Sequence, residues 1–326
     1  MKKIQISFTV PHTPDNQEAL GFFAQWSASI PTLFFLDLCT ISHIKAWLQQ
    51  DLKGTVSEPP SIKFLRRNDV AHNAISYLPA LMEKSSDMRS NFTTRGLVEE
   101  ARRDLNALQS FFKSARVYET AEFAEQWIRE LKGIHVEKLG PSYHEFLDYL
   151  NALQLFNKIS PAKRIDITKA ICGRARDLKI SNAHPVILIA IACIYGCVSA
   201  MKVMKFKRNP KEFSSSNALG DIQTIQRVGK LTQLVAPRDA TPGGFVRTSF
   251  VTDDGHLRRL YKFFFVNEVT ESKHAEFAMT TFQVTVKANK LFPDLYGPDN
   301  ELKGEAQQLE LMKIQYLLGL PVEEVR

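Results

Sequence analysis

No stretch of the 326 residues reaches the roughly 18 uninterrupted apolar positions of a membrane span. The nearest is Pro185 to Met201, unbroken from Val186 to Ile194. Gly196 and Ser199 interrupt it and His184 and Lys202 border it, so it reads as a buried core helix. Residues 4–10 alternate like a strand, and the N-terminal residues lack the apolar core of a secretory signal. Cysteine is scarce: Cys39, Cys172, Cys193 and Cys197. They lie mostly in apolar runs and none has zinc-ligand spacing, which points to buried free thiols and a reducing, cytoplasmic setting. A Gly-x-Ser-x-Gly nucleophile turn is missing, as is any Cys with a plausible His context, so serine and cysteine hydrolases have little support. There is no internal repeat and no low-complexity tract.

What is present is an ordinary globular composition, 44% hydrophobic and 24% charged, long enough for one large α/β domain or two smaller ones. Net charge is +7, a moderate excess that suits a polyanionic partner without demanding one. The bases cluster. Residues 202–208 include Lys205, Lys207 and Arg208, and a second group holds Arg258, Arg259 and Lys262. Both interleave aromatics with bases, which suits base stacking joined to phosphate contact, although solvated faces give the same pattern.

Thr32 to Leu36 is a short apolar run after Pro31 and reads as a buried parallel strand. Asp37 follows at once, either as a helix N-cap or as an acid at the carboxyl edge of a sheet, where ligands gather. The design returns later: Phe245 to Val251 reads as a strand, then come Thr252, Asp253 and Asp254, then a helix. Glu83 closes an apolar segment within a helical pattern over 69–83. Asp221 falls in the expected first turn of a helix opened at Asn217, where the macrodipole favours a carboxylate. The pattern from about 94 to 153 is helical and charge-rich. Residues 181–205 read as one apolar helix, 262–266 and 280–286 as short strands, and 302–318 as a final helix.

Asp37, Glu83, Asp221 and Asp254, with Asp253 in reserve, thus become candidates for one site. Clustered carboxylates repel unless a cation neutralises them. The cation that suits all-oxygen donors is Mg²⁺ or Mn²⁺, and an ion pair of that kind is a common device for phosphodiester hydrolysis. Thr252 and Asn217 are placed to support Asp254 and Asp221.

Leu36-Asp37-Leu38-Cys39-Thr40-Ile41, Asn217-Ala218-Leu219-Gly220-Asp221-Ile222 and Phe250-Val251-Thr252-Asp253-Asp254 resemble, in chain order, the three acid-bearing motifs of PIN-like nuclease domains. Glu83 is the best match to that family's second acid, with Glu99 and Glu100 as rivals. The resemblance covers about 30–100 and 180–265. It implies a three-layer α/β fold, a Rossmann-like parallel sheet flanked by helices. The core would be built from 1–94 and 181–290, with a helical insertion at 95–180 and a helical tail at 291–326. It implies an Mg²⁺- or Mn²⁺-dependent endonuclease, acting on RNA more than DNA, in a toxin or phage-defence setting with an inhibitory or regulatory protein partner or self-association. Two other classes compete. A haloacid-dehalogenase-like phosphatase also begins with a strand and an Asp, but Cys39 stands where its second Asp belongs. A non-catalytic nucleic-acid- or protein-binding module remains if the acids are separate helix caps.

Overall fold

The computed structural model describes residues 21–50, 58–132, 140–235, 244–273 and 278–320, apart from positions 24, 88, 90 and 158. The strand expected at 4–10 lies outside them.

The apolar run after Pro31 is the central strand β1, Thr32–Leu36, buried at every position. It pairs in parallel with β2, Ala74–Ser76, on one side and with β4, Arg247–Val251, on the other. β3, Arg116–Val117, extends the sheet beyond β2, giving the order β3-β2-β1-β4. Phe34 sits opposite Ile75 and Ser249. Side chains of β1 alternate between faces, as the strand period requires. Phe34 and Leu36 enter one core with Ile41 and Ile44 of α1, Leu38–Gln50, and Ile62 and Leu65 of α2, Pro60–Arg67. Leu33 and Phe35 enter a smaller core on the opposite face. Each such buried Leu or Phe contributes roughly 1.5–3 kcal/mol.

Three differences from the sequence expectation bear on the site. The helix expected over 69–83 is instead β2 followed by α3, Leu78–Ser86, with Pro79 in its first turn. A three-residue strand is too short to show a period, and Pro79 fits a helix start. Next, residues 95–117, expected within the insertion, belong to α4, Thr94–Phe111, and β3. Leu97, Ala101, Leu105 and Leu108 of α4 pack in the same core as Phe34. The crossover from β3 to β4 then carries α5, Ala121–Leu131; α6, Gly140–Ala152; α7, Pro161–Asp177; α8, Pro185–Ile194; α9, Val198–Met204; and α10, Ser215–Val235. Most of these helices surround a second core centred on α8, which is buried throughout. Finally, the single helix expected over 181–205 is two. Gly196 takes a left-handed φ of 83° between α8 and α9, which a side chain would strain.

β4 leads into α11, Gly255–Tyr261, and then an antiparallel pair, β5, Phe264–Lys273, and β6, Ala278–Val286. α12, Ala288–Leu291, and α13, Glu305–Leu317, complete the second core. Among the described residues no helix is long and apolar enough to cross a membrane.

Candidate active site

Strand order reverses at β1, so the crevice between the carboxyl ends of β1 and β4 is a topological switch point, where open α/β sheets bind ligands. Asp37 leaves β1 there. It is 7% exposed, and its Oδ1 accepts the backbone N–H of Thr40 at 2.9 Å, so it caps α1. The Cys39 thiol donates to Oδ1 and Oδ2 at 3.2 and 3.1 Å. Burial and the Asp37 charge push that thiol up to about 11, so it stays a protonated donor. From the end of β4, Asp254 caps α11, its Oδ1 accepting from the His256 and Leu257 amides at 2.7 and 2.9 Å. Thr252 supports this corner through its hydroxyl, which accepts the Asp254 amide at 3.0 Å. It thus holds the backbone of Asp254 rather than the carboxylate.

Asp221 does not lie in the first turn of its helix. α10 begins at Ser215, which places Asp221 in the second turn, where the dipole has faded. What fixes it is Lys205, whose Nζ lies 2.6 Å from Asp221 Oδ2. Lys205 closes α9 in a left-handed conformation, φ 54°. Desolvation works against its charge, and Asp221, Asp254 and Glu83 together raise its pKa despite this. Glu83, from α3, rests on Gly220, the residue before Asp221. A Cβ on Gly220 would lie 2.7 Å from Glu83 Oε1. Burial pushes the Glu83 carboxyl up to about 7, with the Asp221 and Asp37 charges adding to it and Arg227 and Lys205 opposing. Burial raises Asp221 to about 6, with Lys205 opposing and Asp254 and Asp37 adding. Asp37, Glu83, Asp221 and Asp254 are therefore linked electrostatically, from four separate elements, with the Lys205 ammonium and the Arg227 guanidinium opposing their charge.

The structure does not bring the remaining expected residues into that cluster. Asp253 turns toward α1 and α2, where its Oδ2 lies 2.6 Å from His43 Nδ1 and accepts from Ser61 Oγ at 2.6 Å. Asn217 is exposed on the first turn of α10, and among the described residues it makes no hydrogen bond to Asp221. Lys205, expected among the phosphate-holding bases, belongs to the acids instead, because the left-handed turn after α9 aims it at α10. The other bases stay outside. Lys207, Arg208, Arg258, Arg259 and Lys262 are all exposed, and α9 packs on α11, so the two basic segments are neighbours.

Sequence reasoning passed over Gly220 and Arg227. Arg227 is buried and donates to Ser86 Oγ and Gln223 Oε1 at 2.7 and 2.6 Å. It also passed over Glu119, an acid just after β3. Ser76 Oγ and the Tyr77 amide each donate to it at 2.6 Å, which makes it a clamp between strands. A glycine directly before a candidate acid on a helix was the one signal for Gly220.

All-carboxylate donors suit a hard divalent cation, and four acids against Lys205 and Arg227 leave the cluster short of positive charge. Among the described residues, however, no three His, Cys, Asp or Glu side chains are drawn together tightly enough to hold an ion. Lys205, paired with Asp221, and Arg227, acting on Glu83, supply the counter-charge in this arrangement. No protein-family model, curated protein or solved structure matches the chain.

Proposed function

We propose that this chain is a PIN-like, Mg²⁺- or Mn²⁺-dependent nuclease that hydrolyses phosphodiester bonds, in RNA ahead of DNA, at the β1–β4 switch point. One observation carries the reading: Asp37, Glu83, Asp221 and Asp254 come from four elements and converge where an open parallel sheet binds ligands. A cation would be held by these four carboxylates only once they draw closer than they stand among the described residues. When bound it would lower the pKa of an attacking water and stabilise the leaving oxygen.

The chain's own residues supply the rest. The caps at α1 and α11 fix Asp37 and Asp254 in place, so neither has to be ordered when substrate arrives. Gly220 gives Glu83 room beside Asp221. Lys205 balances the acids from beside Asp221, where its ammonium would also meet a phosphate presented to them. Lys207, Arg208, Arg258, Arg259 and Lys262 lie exposed on adjoining segments and would hold the backbone on either side.

The Lys205–Asp221 pair and the two capping roles also favour a second reading, a non-catalytic nucleic-acid-binding module. Cleavage of labelled single-stranded RNA and DNA with Mg²⁺, Mn²⁺ or EDTA separates the two. The nuclease reading expects EDTA-sensitive cleavage, RNA above DNA, lost in both Asp37→Asn and Asp254→Asn. Asn preserves each cap, so loss reports the charge. Binding without cleavage under every metal condition supports the module instead.

A further inference from the structure

The β5–β6 ribbon crosses α10 at Gly229. A Cβ there would run into the Val266 side chain, so the glycine permits a close approach of strand to helix. Beside this crossing is a cleft of about 450 Å³ between α10, the end of α11 and β5. Its size is within the roughly 300–1,000 Å³ of small-molecule sites. Ile225, Phe264 and Val266 give it apolar walls, and the first two belong to the second core. Tyr261 and Phe265 add two more rings, and Phe265 remains 46% exposed. Thr232 also lines the cleft, but its hydroxyl already pairs with that of Thr248 at 3.0 Å. An aromatic ring left exposed beside such a cleft offers a surface for an apolar ligand body.

The charges of the lining have one sign. Lys262 and Lys287 take part in it, and no Asp or Glu does. Lys287 Nζ lies 4.9 Å from the centroid of the Phe265 ring, which holds the ammonium at the cleft. Lys205 and Lys230 pair with Asp221 and Glu271, whereas neither Lys262 nor Lys287 forms an ion pair among the described residues. Of the acids on β5, Glu271 is therefore taken, and Glu268 stands outside the lining. Burial raises the pKa of Tyr261, so its hydroxyl stays neutral. Two unmatched ammonium groups on a ring-lined apolar cleft favour a ligand that joins a flat apolar body to a negative charge. The cleft is distinct from the acid site. Asp221, Ile225, Gly229 and Thr232 follow one another at helical spacing along one face of α10, so the cleft spans about 6 to 16 Å along the axis beyond Asp221. Asp254 caps the start of α11 and Tyr261 ends it. Both helices thus run from the acids to the cleft.

We infer that this cleft binds a small organic anion with an aromatic body, its ring against Phe265 and Tyr261 and its negative group on Lys262 and Lys287. The site does not depend on the nuclease reading. Fluorescence titration of the full chain in EDTA tests it with two dyes. One is 1-anilinonaphthalene-8-sulfonate; the other, N-phenyl-1-naphthylamine, has the same rings without the sulfonate. The anionic dye is expected to bind at least tenfold tighter than the neutral one. Lys262→Gln and Lys287→Gln should each weaken the anionic dye at least threefold and leave the neutral dye within twofold, a split that a loss of fold would not produce. Phe265→Ala, at an exposed position, should weaken both dyes at least threefold. Two sources share this ligand chemistry, and competition separates them. Displacement by 1-naphthoate alone assigns the cleft to an aromatic carboxylic acid, and displacement by adenosine monophosphate assigns it to a nucleotide. Equal affinity for the two dyes, anionic-dye binding that Lys287→Gln and Phe265→Ala leave unchanged, or displacement by neither competitor overturns the site. Asp254→Asn should bind the anionic dye as wild type does, so a failure of the nuclease reading leaves this result standing.

Discussion

The Glu83 carboxylate lies against the Cα of Gly220, so that a methyl group there would meet Oε1 at 2.7 Å. This packing joins α3 to α10 and places one acid beside the next residue's acid, Asp221. Gly220→Ala is therefore expected to separate folding from function. Alanine favours a helix interior over glycine by about 1 kcal/mol, and Glu83 is flexible enough to move aside. Stability should stay within about 1 kcal/mol of wild type in denaturant titration, while cleavage falls at least tenfold. A variant that is fully active would show that the position of Glu83 does not matter.

A second expectation concerns acid stability. His184 caps α8 by accepting the Val186 amide on Nδ1 at 3.1 Å, and full burial pushes its pKa down to about 4 from 6.5. The folded pKa is below the unfolded one, so the unfolded state binds the proton first. Stability is then complete above pH 6.5 and is lost as pH falls toward 4, by roughly 3 kcal/mol at the limit. His184→Asn keeps a capping side chain without the titration. Chemical denaturation from pH 7.5 to 4.5 should show wild type losing stability relative to this variant, and parallel curves would refute the assignment.

Glu83 titrates in the opposite sense. Its folded pKa, about 7, lies above its usual 4.5, so the folded state holds the proton longer. Stability contributed by the neutral form is present at low pH and is lost between about 4.5 and 7 as the carboxylate charges beside Asp221. Glu83→Gln should abolish that loss, by up to about 3 kcal/mol. Mn²⁺ should raise the melting temperature of wild type more at pH 8 than at pH 5.5, since protons and cation compete for the same carboxylates.

The exposed bases act on affinity alone. Replacing Arg258 and Arg259 by alanine should weaken nucleic-acid binding at 100 mM salt and reduce the slope of log K against log salt by about one for each phosphate no longer neutralised. Fluorescence anisotropy over a salt series reads both. An unchanged slope would remove these arginines from the interface.

The central strand and the acids at the ends of β1 and β4 were legible because a five-residue apolar run and its echo need no tertiary information. β2 was not, since three residues show no period and the following Pro79 reads as part of a helix. Asp221 was found for a reason that does not hold: its helix starts earlier at Ser215, and Lys205, not the helix dipole, fixes it. Lys205 looked like one more base in a cluster. Only the left-handed turn closing α9 aims it at the acids, and backbone handedness at a lysine leaves no mark in composition. Sequence put Asp254 ahead of Asp253 only by its place in Thr-x-Asp; the contacts of Asp253 with His43 and Ser61 on other elements are what turn it away from the cluster.

That last distinction gives the most direct test of the claim that four acids form one cation site. Mn²⁺ binding should be measured by electron paramagnetic resonance on wild type, Asp221→Asn, Asp254→Asn and Asp253→Asn. Wild type and Asp253→Asn are predicted to bind Mn²⁺ alike, while Asp221→Asn and Asp254→Asn each lose at least tenfold in affinity. Equal binding by all four proteins, or none by wild type, would contradict a shared site.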